Sequence, residues 1–358
     1  MMTWLFLAVG LVLLVIGADL LVKGAARLAA SFGIPTLVIG LTVVAFGTSA
    51  PELAVSVKAA FAGQAELAIA NVVGSNIFNV LFILGAAAVI MPLIISRQLI
   101  RQDVPIMVAV SVVAVLMVQD GQINRFEAAI LTFGLLSYTW FLFKQGKQQG
   151  TDSAGDDEVE EMLKEPHPTW QNLAFVIGGL ALLVLGARWL VQSAVELATA
   201  WGVNEAVIGL TIVAAGTSLP EVVTSIVATI RGERDIAVGN VVGSNIFNIL
   251  CVLGISGLVS PTPLLAGEQM SQIDIPVMLA VAALCIPLFF VGAILHRIEG
   301  AMFLVLYAAY TWFLIAMALQ KPYLQQLQEG ILYGLVPLVI AYVLISLAWD
   351  FRKKRQSA

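Results

Sequence analysis

The sequence predicts an all-α integral membrane protein in which two inverted five-helix repeats form a ten-helix core, with an eleventh transmembrane helix at the C-terminus. Three observations lead to this fold: the composition, the lengths of the apolar stretches and an internal repeat. Of the 358 residues, 60% are hydrophobic and only 11% are charged. About a quarter of the residues of a soluble domain are charged, so the composition indicates a chain that lies mostly in lipid.

Eleven apolar stretches are candidates for helices that cross a bilayer. A spanning helix needs about 20 mostly apolar residues, whereas the strands of a membrane barrel are shorter and alternate polar with apolar residues. These stretches do not alternate, and we therefore predict helices. In chain order they are 4–30, 34–62, 67–95, 104–118, 126–143, 173–200, 205–230, 236–266, 275–295, 300–320 and 331–349.

Two sequence motifs occur twice along the chain. The segment NVVGSNIFN at 71–79 returns unchanged at 240–248, and GLTVVAFGTSAPE at 40–52 matches GLTIVAAGTSLPE at 209–221 at ten of thirteen positions. In each motif the second occurrence lies 169 residues after the first, at 240 after 71 and at 209 after 40. A unit of five spans crosses the membrane an odd number of times, so its second copy must enter from the opposite side. Inverted repeats of this kind are a recurring plan of secondary transporters.

The repeat predicts four segments. The first five-helix repeat covers 1–143, and the second, inverted repeat covers 173–320. Between them, 144–172 is a polar, acidic segment whose composition is typical of a solvated linker. The last segment, 321–358, supplies the additional transmembrane helix and a basic tail.

The distribution of basic residues predicts the orientation. With the N-terminus outside, fourteen of the 18 lysines and arginines lie at cytoplasmic ends and loops, including the RKKR tail. Cytoplasmic loops of membrane proteins carry such an excess. We therefore expect a multi-pass protein of the cell inner membrane or plasma membrane, with a cytoplasmic linker and C-terminus. The outer side retains Lys58, Arg125, Arg188 and Lys321.

The duplicated motifs place polar side chains inside apolar stretches. Residues four apart share a helix face, so Thr48 lies with Glu52 and Ser75 with Asn79. Proline removes a backbone donor and frees a carbonyl one turn earlier, and we expect unpaired carbonyls at Ala45 and Ala214. Together with these two carbonyls, the candidate cation ligands are Thr48, Ser49, Glu52, Ser75, Asn79, Thr217, Ser218, Glu221, Ser244 and Asn248.

The two glutamates are the strongest candidates in this set. A carboxylate at the centre of a bilayer is costly unless it is paired or used, and no basic residue lies nearby except Lys58, near the end of its helix. Serine, threonine and asparagine have an alternative role, because they often bond one membrane helix to another. All the donors are hard oxygens, which suit Ca²⁺ and Na⁺. Zinc and copper prefer sulfur or imidazole ligands, and no cofactor is expected.

Other acidic residues receive structural interpretations. Asp103 and Asp274 each stand two residues before a proline at the start of a span, a pattern typical of helix caps. Glu127 and Glu299 open the next span in each half, where a negative charge suits the helix dipole.

The motifs GTSAPE and GTSLPE, each followed by NVVGSNIFN, resemble the paired alpha repeats of the sodium/calcium exchangers, in the calcium/cation antiporter superfamily. The resemblance covers about 315 of the 358 residues. It implies a ten-helix core with ion sites at its centre, and it implies that the ten side chains named above are the ligands. Proton-coupled members typically have GNxxE where this chain has GTSxPE, which favours sodium. Potassium-dependent members carry an aspartate where this chain has Asn248, so we expect exchange that is independent of K⁺.

The sequence thus predicts an antiporter that exports Ca²⁺ from the cytoplasm in exchange for Na⁺ by alternating access. Its expected partners are these two ions and the lipid bilayer, with no nucleic acid and no obligate protein partner. A proton/calcium antiporter on the same scaffold stays open as an alternative. An intramembrane enzyme would use Glu52 and Glu221 as an acid/base pair, but no nucleophile stands beside a base. A channel is also disfavoured, because no set of helices suggests a ring of subunits.

Overall fold

A computed structural model of the chain describes residues 2–150 and 168–356. Helix is found in every one of the eleven predicted stretches. Most of the predicted linker, from 151 to 167, lies outside the described residues. The helices are α1 (Met2–Phe32), α2 (Thr36–Thr48), α3 (Ala50–Phe61), α4 (Ala65–Ile90), α5 (Leu99–Asp120), α6 (Arg125–Gly150), α7 (Thr169–Ala200), α8 (205–216), α9 (Leu219–Ile230), α10 (Arg234–Val259), α11 (Met270–Phe290), α12 (Arg297–Ala318) and α13 (324–356).

The number of spans depends on how broken helices are counted. By length and composition, nine helices among the described residues can cross a membrane, or ten if the bent pair α2 and α3 is one span. The predicted stretch 205–230 is likewise divided, into α8 and the short apolar helix α9. The helix α13 contains a candidate span, Leu324–Arg352.

Two short antiparallel strand pairs join the halves of the chain. Leu93–Ile94 pairs with Ile294–Leu295, and Gln122–Ile123 pairs with Leu264–Leu265. Three of these four strands were predicted to lie at the ends of spans, because their residues are apolar. In the structure, the helices end before them and the apolar side chains continue as strand.

Glycines allow α1 and α7 to pack at very short range. A Cβ atom on Gly17 would lie 2.8 Å from the carbonyl oxygen of Gly179, and one on Gly10 would lie 2.9 Å from that of Gly186. As the chain advances along α1, its contacts move backwards along α7, so the two helices are antiparallel. Each contact joins one glycine to the repeat counterpart of the other, because position 10 corresponds to 179 and position 17 to 186. Small residues that let backbones approach are typical of helix contacts in membranes.

Each copy of the GTSxPE motif breaks a helix. Between α2 and α3 the axis bends by 43°, and the break falls at Ser49, whose φ and ψ of −81° and 3° are not helical. Pro51 and Pro220 stand in the first turn of the helices that follow the two breaks. There a missing N–H breaks no helical bond. The breaks place Glu52 and Glu221 in the first turns of α3 and α9, where the helix dipole favours negative charge.

The prediction that Asp103 and Asp274 cap their helices is wrong. Both helices begin more than a turn earlier, and neither carboxylate makes a capping bond. Asp103 is completely buried and accepts hydrogen bonds from the side chains of Gln98, Gln102 and Tyr138, while Asp274 accepts a 2.6 Å bond from Tyr310. The prediction relied on the proline two residues after each aspartate, because proline is common in the first turn of a helix. A π-helical turn precedes it, and such a turn leaves a carbonyl without a partner, so a proline is tolerated there inside a helix.

The interpretation of Glu127 and Glu299 is confirmed. Both lie in the first turn of their helices. The carboxylate of Glu127 accepts the N–H of Asn124 at 2.8 Å, and that of Glu299 accepts the N–H of His296 at 2.8 Å. Each acid therefore satisfies a donor at the helix start, in addition to its favourable interaction with the dipole.

The close packing of α1 on α7 predicts different effects for two adjacent glycines. A Cβ on Gly179 would lie 2.6 Å from the carbonyl oxygen of Gly17, whereas one on Gly178 meets no described atom within 4 Å. We expect Gly179→Ala to destabilise the purified protein by about 1–3 kcal/mol, because an extra carbon has no room. The control, Gly178→Ala, should melt at or above the wild-type temperature, since alanine is the better helix former. Thermal melting in detergent measures both, and equal melting temperatures would contradict the contact.

Candidate ion-binding site

The site is built around two buried glutamates, one from each half of the chain. Glu52 and Glu221 both have 0% exposure. In each carboxylate, Oε1 accepts a hydrogen bond, while Oε2 has no partner among the described residues. Neither glutamate forms an ion pair with a described residue. Two carboxylates in this environment are costly as free anions, so their oxygens are available to a cation.

Serines from the opposite half hold each glutamate. The Oγ of Ser218 donates to Oε1 of Glu52 at 2.9 Å, and the Oγ of Ser49 donates to Oε1 of Glu221 at 3.2 Å. Ser75 joins the first pair, with its Oγ 3.1 Å from that of Ser218. The two broken helices therefore cross-connect at their break points, and each carboxylate is positioned by the other repeat.

Four asparagines form a second layer of bonds between the halves. Asn79 donates its Nδ2 to Oδ1 of Asn245 at 3.0 Å, and Asn248 donates its Nδ2 to Oδ1 of Asn76 at 3.0 Å. The carbonyl oxygens of Asn79 and Asn248 side chains are buried and have no partner among the described residues. The predicted ligands Asn79 and Asn248 thus use their N–H₂ groups within the protein and leave their oxygens free.

The threonines meet another duplicated asparagine. Thr48 Oγ1 donates to Oδ1 of Asn240 at 3.0 Å, and Thr217 Oγ1 donates to Oδ1 of Asn71 at 3.4 Å. Ser244 lies 3.5 Å from Thr48, measured between the hydroxyl oxygens. Each threonine hydroxyl therefore has an amide oxygen of the opposite half within hydrogen-bond distance.

Four asparagines were missed among the candidate residues: Asn71, Asn76, Asn240 and Asn245. They occupy the first and sixth positions of NVVGSNIFN. The prediction used the spacing of four residues, which selects Ser75 with Asn79 and passes over their neighbours. The signal was present, because these amides are as polar as Asn79 and are repeated in the same unchanged segment.

The expectation of an unpaired carbonyl at Ala45 is wrong. That oxygen accepts the backbone N–H of Ser49 at 3.0 Å, and the hydroxyl of Thr48 lies 3.3 Å away. The reason is the helical register. Pro51 lacks the N–H that would reach Gly47, four residues earlier, and Ala45 keeps its own donor.

The two halves differ in how tightly they close over the site. A Cβ on Gly243 would lie 2.8 Å from the Cβ of Ala45, so α2 packs directly on α10. At the equivalent place in the other half, Gly74 has no described atom within 4 Å of its Cβ position, and Ala214 is exposed. Thr48 has 0% exposure, whereas Thr217 is partly exposed. The site is therefore sealed beside α2 and more open beside α8.

Taken together, the site offers carboxylate, amide and hydroxyl oxygens from both halves. Four of them have no partner among the described residues, namely Oε2 of Glu52, Oε2 of Glu221, Oδ1 of Asn79 and Oδ1 of Asn248. Hard cations such as Ca²⁺ bind oxygens of these kinds with flexible geometry. The arrangement suits reversible binding of a small hard cation.

Comparisons with known proteins agree with this chemistry. The family profile described as "Sodium/calcium exchanger protein" matches residues 2–144 and 171–316. Putative antiporter CaxA of Alkalimonas amylolytica is 37% identical over 314 residues, which cover 87% of this chain and 98% of that protein. Sodium/calcium exchanger MaX1 of Methanosarcina acetivorans is 33% identical over 340 residues, covering 86% of this chain and 97% of the relative.

A solved structure extends the comparison to the fold. The sodium-calcium exchanger NCX_Mj, soaked with 2.5 mM Na⁺ and 0.1 mM Ca²⁺, matches with a TM-score of 0.74 at 30% identity, covering 89% of this chain and 98% of the other. The relatives are exchangers and antiporters, so the protein is a membrane transporter and the alternative of an intramembrane enzyme is excluded. The chain belongs to the sodium/calcium exchanger family.

Proposed function

We propose that this protein exports Ca²⁺ from the cytoplasm in exchange for Na⁺, by alternating access and without a requirement for K⁺. The observation that carries the proposal is the pair of buried glutamates, each with a free Oε2 and no basic partner among the described residues. The formal charge of such a site is near −2. One Ca²⁺ cancels it, and three Na⁺, the number that the family resemblance implies, would leave it near +1.

The proposed ligands are the residues predicted from the duplicated motifs. The cross-half bonds of Glu52 and Glu221 to Ser218 and Ser49 support a shared site. Ala45 is retained as a ligand through the second lone pair of its carbonyl oxygen. The hydroxyls near that oxygen, those of Thr48 and Ser244, lie at the long distances of 3.3 Å and 3.5 Å, and Thr48 has a shorter bond to Asn240. The proposed ligands are Ala45, Thr48, Ser49, Glu52, Ser75, Asn79, Ala214, Thr217, Ser218, Glu221, Ser244 and Asn248.

The transport cycle rests on the inverted repeats. Support comes from the antiparallel packing of α1 on α7 through equivalent glycines. It also comes from two equivalent hydrogen bonds between the halves, Asn79 to Asn245 and Asn248 to Asn76. Two equivalent halves can close over the site in turn. Here α2 packs on Gly243, whereas no described atom lies within 4 Å of the Cβ position of Gly74. With the N-terminus outside, as the basic residues predict, α8 descends from the outer surface to the site. The open side then faces outwards, towards Na⁺.

Sodium coupling is favoured over proton coupling by two observations. The motif reads GTSxPE in both halves, and the relative MaX1 is named a sodium/calcium exchanger. Asn248 contributes a neutral amide, so the two carboxylates match one Ca²⁺ and no negative charge is left for K⁺.

The glutamates should be indispensable. Glu52→Gln or Glu221→Gln leaves Ca²⁺ under-compensated by one charge, and one charge at contact distance is worth about 4 kcal/mol at an effective dielectric constant of 20. We expect Ca²⁺ uptake by vesicles to fall by roughly a hundredfold or more. The control Glu66→Gln changes an exposed carboxylate and should leave uptake near normal. Normal flux in either glutamate variant, at equal protein levels, would refute the two-glutamate site.

The coupling ion is tested with gradients imposed one at a time. Vesicles loaded with Ca²⁺ and free of K⁺ should release it when only a Na⁺ gradient is applied. Release that waits for added K⁺ would contradict the neutral role of Asn248. Release driven by a pH gradient without Na⁺ would establish the proton-coupled alternative.

Access to the site should differ between repeat counterparts. Ala214→Cys should react with a membrane-impermeant thiol reagent added outside intact cells, and Ala45→Cys should not, because Gly243 covers Ala45. The natural cysteines Cys251 and Cys285 are both buried. Labelling followed by mass analysis reads the result, and equal labelling of both variants would contradict the outward-open arrangement.

A further inference from the structure

We propose that Asn76 and Asn245 are positioning residues that fix the orientation of the ligand amides, so that the oxygens and not the N–H₂ groups of Asn248 and Asn79 face the cation. This inference rests on the proposed function, because it concerns the same site. Neither residue is a proposed ligand. Both are 2% exposed and lie in the unchanged repeat NVVGSNIFN.

The orientation begins at a backbone carbonyl, which can only accept. The Nδ2 of Asn76 donates to the carbonyl oxygen of Asn245 at 3.2 Å. An amide turned over at this place would set oxygen against oxygen, so the polarity of Asn76 is determined. Its Oδ1 must then face the opposite way, and there it accepts the Nδ2 of Asn248 at 3.0 Å.

The second step passes this polarity to the ligand. Because Asn76 offers only an oxygen, Asn248 must offer its N–H₂ to that oxygen. The Oδ1 of Asn248 is therefore directed away from Asn76, and it is one of the buried oxygens without a partner among the described residues. A cation is attracted by this oxygen and would be repelled by the hydrogens of a turned amide.

The other half repeats the arrangement with the roles exchanged. Asn245 donates its Nδ2 to the carbonyl oxygen of Asn76 at 3.2 Å. Its Oδ1 accepts the Nδ2 of Asn79 at 3.0 Å, and the Oδ1 of Asn79 has no described partner. Both chains of hydrogen bonds begin at a backbone carbonyl oxygen and end at an amide oxygen without a described partner. The same arrangement therefore orients both ligand amides.

A double-mutant cycle separates this role from a general structural one. If Asn76 acts through Asn248, its removal matters only while Asn248 is present. We expect Asn76→Ala and Asn248→Ala each to raise the Ca²⁺ concentration for half-maximal exchange by about fivefold to tenfold, the worth of one polar contact. The double variant should resemble the single variants in this Ca²⁺ concentration, and the maximal rate of Asn76→Ala should change less than twofold.

A matched pair provides the control. The amide of Asn76 hydrogen-bonds that of Asn248, and no described hydrogen bond joins it to Asn79, so the effects of Asn76→Ala and Asn79→Ala should multiply, to roughly 25-fold to 100-fold in the double variant. The mirror cycle of Asn245 with Asn79 should be non-additive and gives a second test if Asn76→Ala is recovered poorly. Measurements use the full-length protein in vesicles, with Ca²⁺ as the varied ion and a fixed Na⁺ gradient.

Each outcome decides one question. Multiplied effects in both the Asn76/Asn248 and Asn245/Asn79 cycles would overturn the positioning role while leaving the site intact. If Asn248→Ala does not change the Ca²⁺ dependence at all, the ligand assignment of the proposed function fails instead. Non-additivity in the two contacting pairs, with multiplication in the control pair, supports the inference.

Discussion

The structure depends on the burial of two carboxylates that no described basic residue neutralises. A buried anion is costly unless a cation or several donors accompany it, and each glutamate has only Oε1 occupied by a described partner. Many features of the fold reduce this cost without cancelling it. The breaks at the GTSxPE motifs place both residues at helix starts, where the dipole is favourable, and serines from the opposite repeat donate to them.

Partial satisfaction is what an exchanger requires of its site. If the glutamates were fully paired by arginine or lysine, a cation could not compete for them. If they had no donors, the empty site would be too unstable to pass between bound states. Ser49 and Ser218 each donate one hydrogen bond to a carboxylate, and the second oxygen of each carboxylate has no described partner. The asparagines follow the same division, because Asn79 and Asn248 donate their nitrogens within the protein while their oxygens have no partner among the described residues.

The sequence predicted a helical membrane protein correctly, because long apolar stretches are a strong signal. Its failures concern local geometry that a pattern of letters does not contain. Asp103 before Pro105 has the same spacing at a helix start and at a π-helical turn, and only the structure distinguishes them. The unpaired carbonyl predicted at Ala45 was placed two residues too early, because the N–H that Pro51 lacks would have reached Gly47. Asn76 and Asn245 were passed over because their role lies in contacts between the halves, and these are invisible to spacing within one helix.

The two halves share a motif but use it differently in this structure. Gly243 lets α2 approach so closely that a Cβ there would lie 2.8 Å from both Ala45 and the carbonyl oxygen of Leu41. Gly74 makes no such contact with a described atom, although a glycine inside a helix costs about 0.5–1 kcal/mol relative to alanine. Under alternating access this cost has a purpose, because α8 would pack on Gly74 when the opposite side opens and α2 leaves Gly243. An alanine at position 74 would be neutral or stabilising in the present state and would obstruct only the other one, so the proposed alternation of access accounts for a glycine at this position.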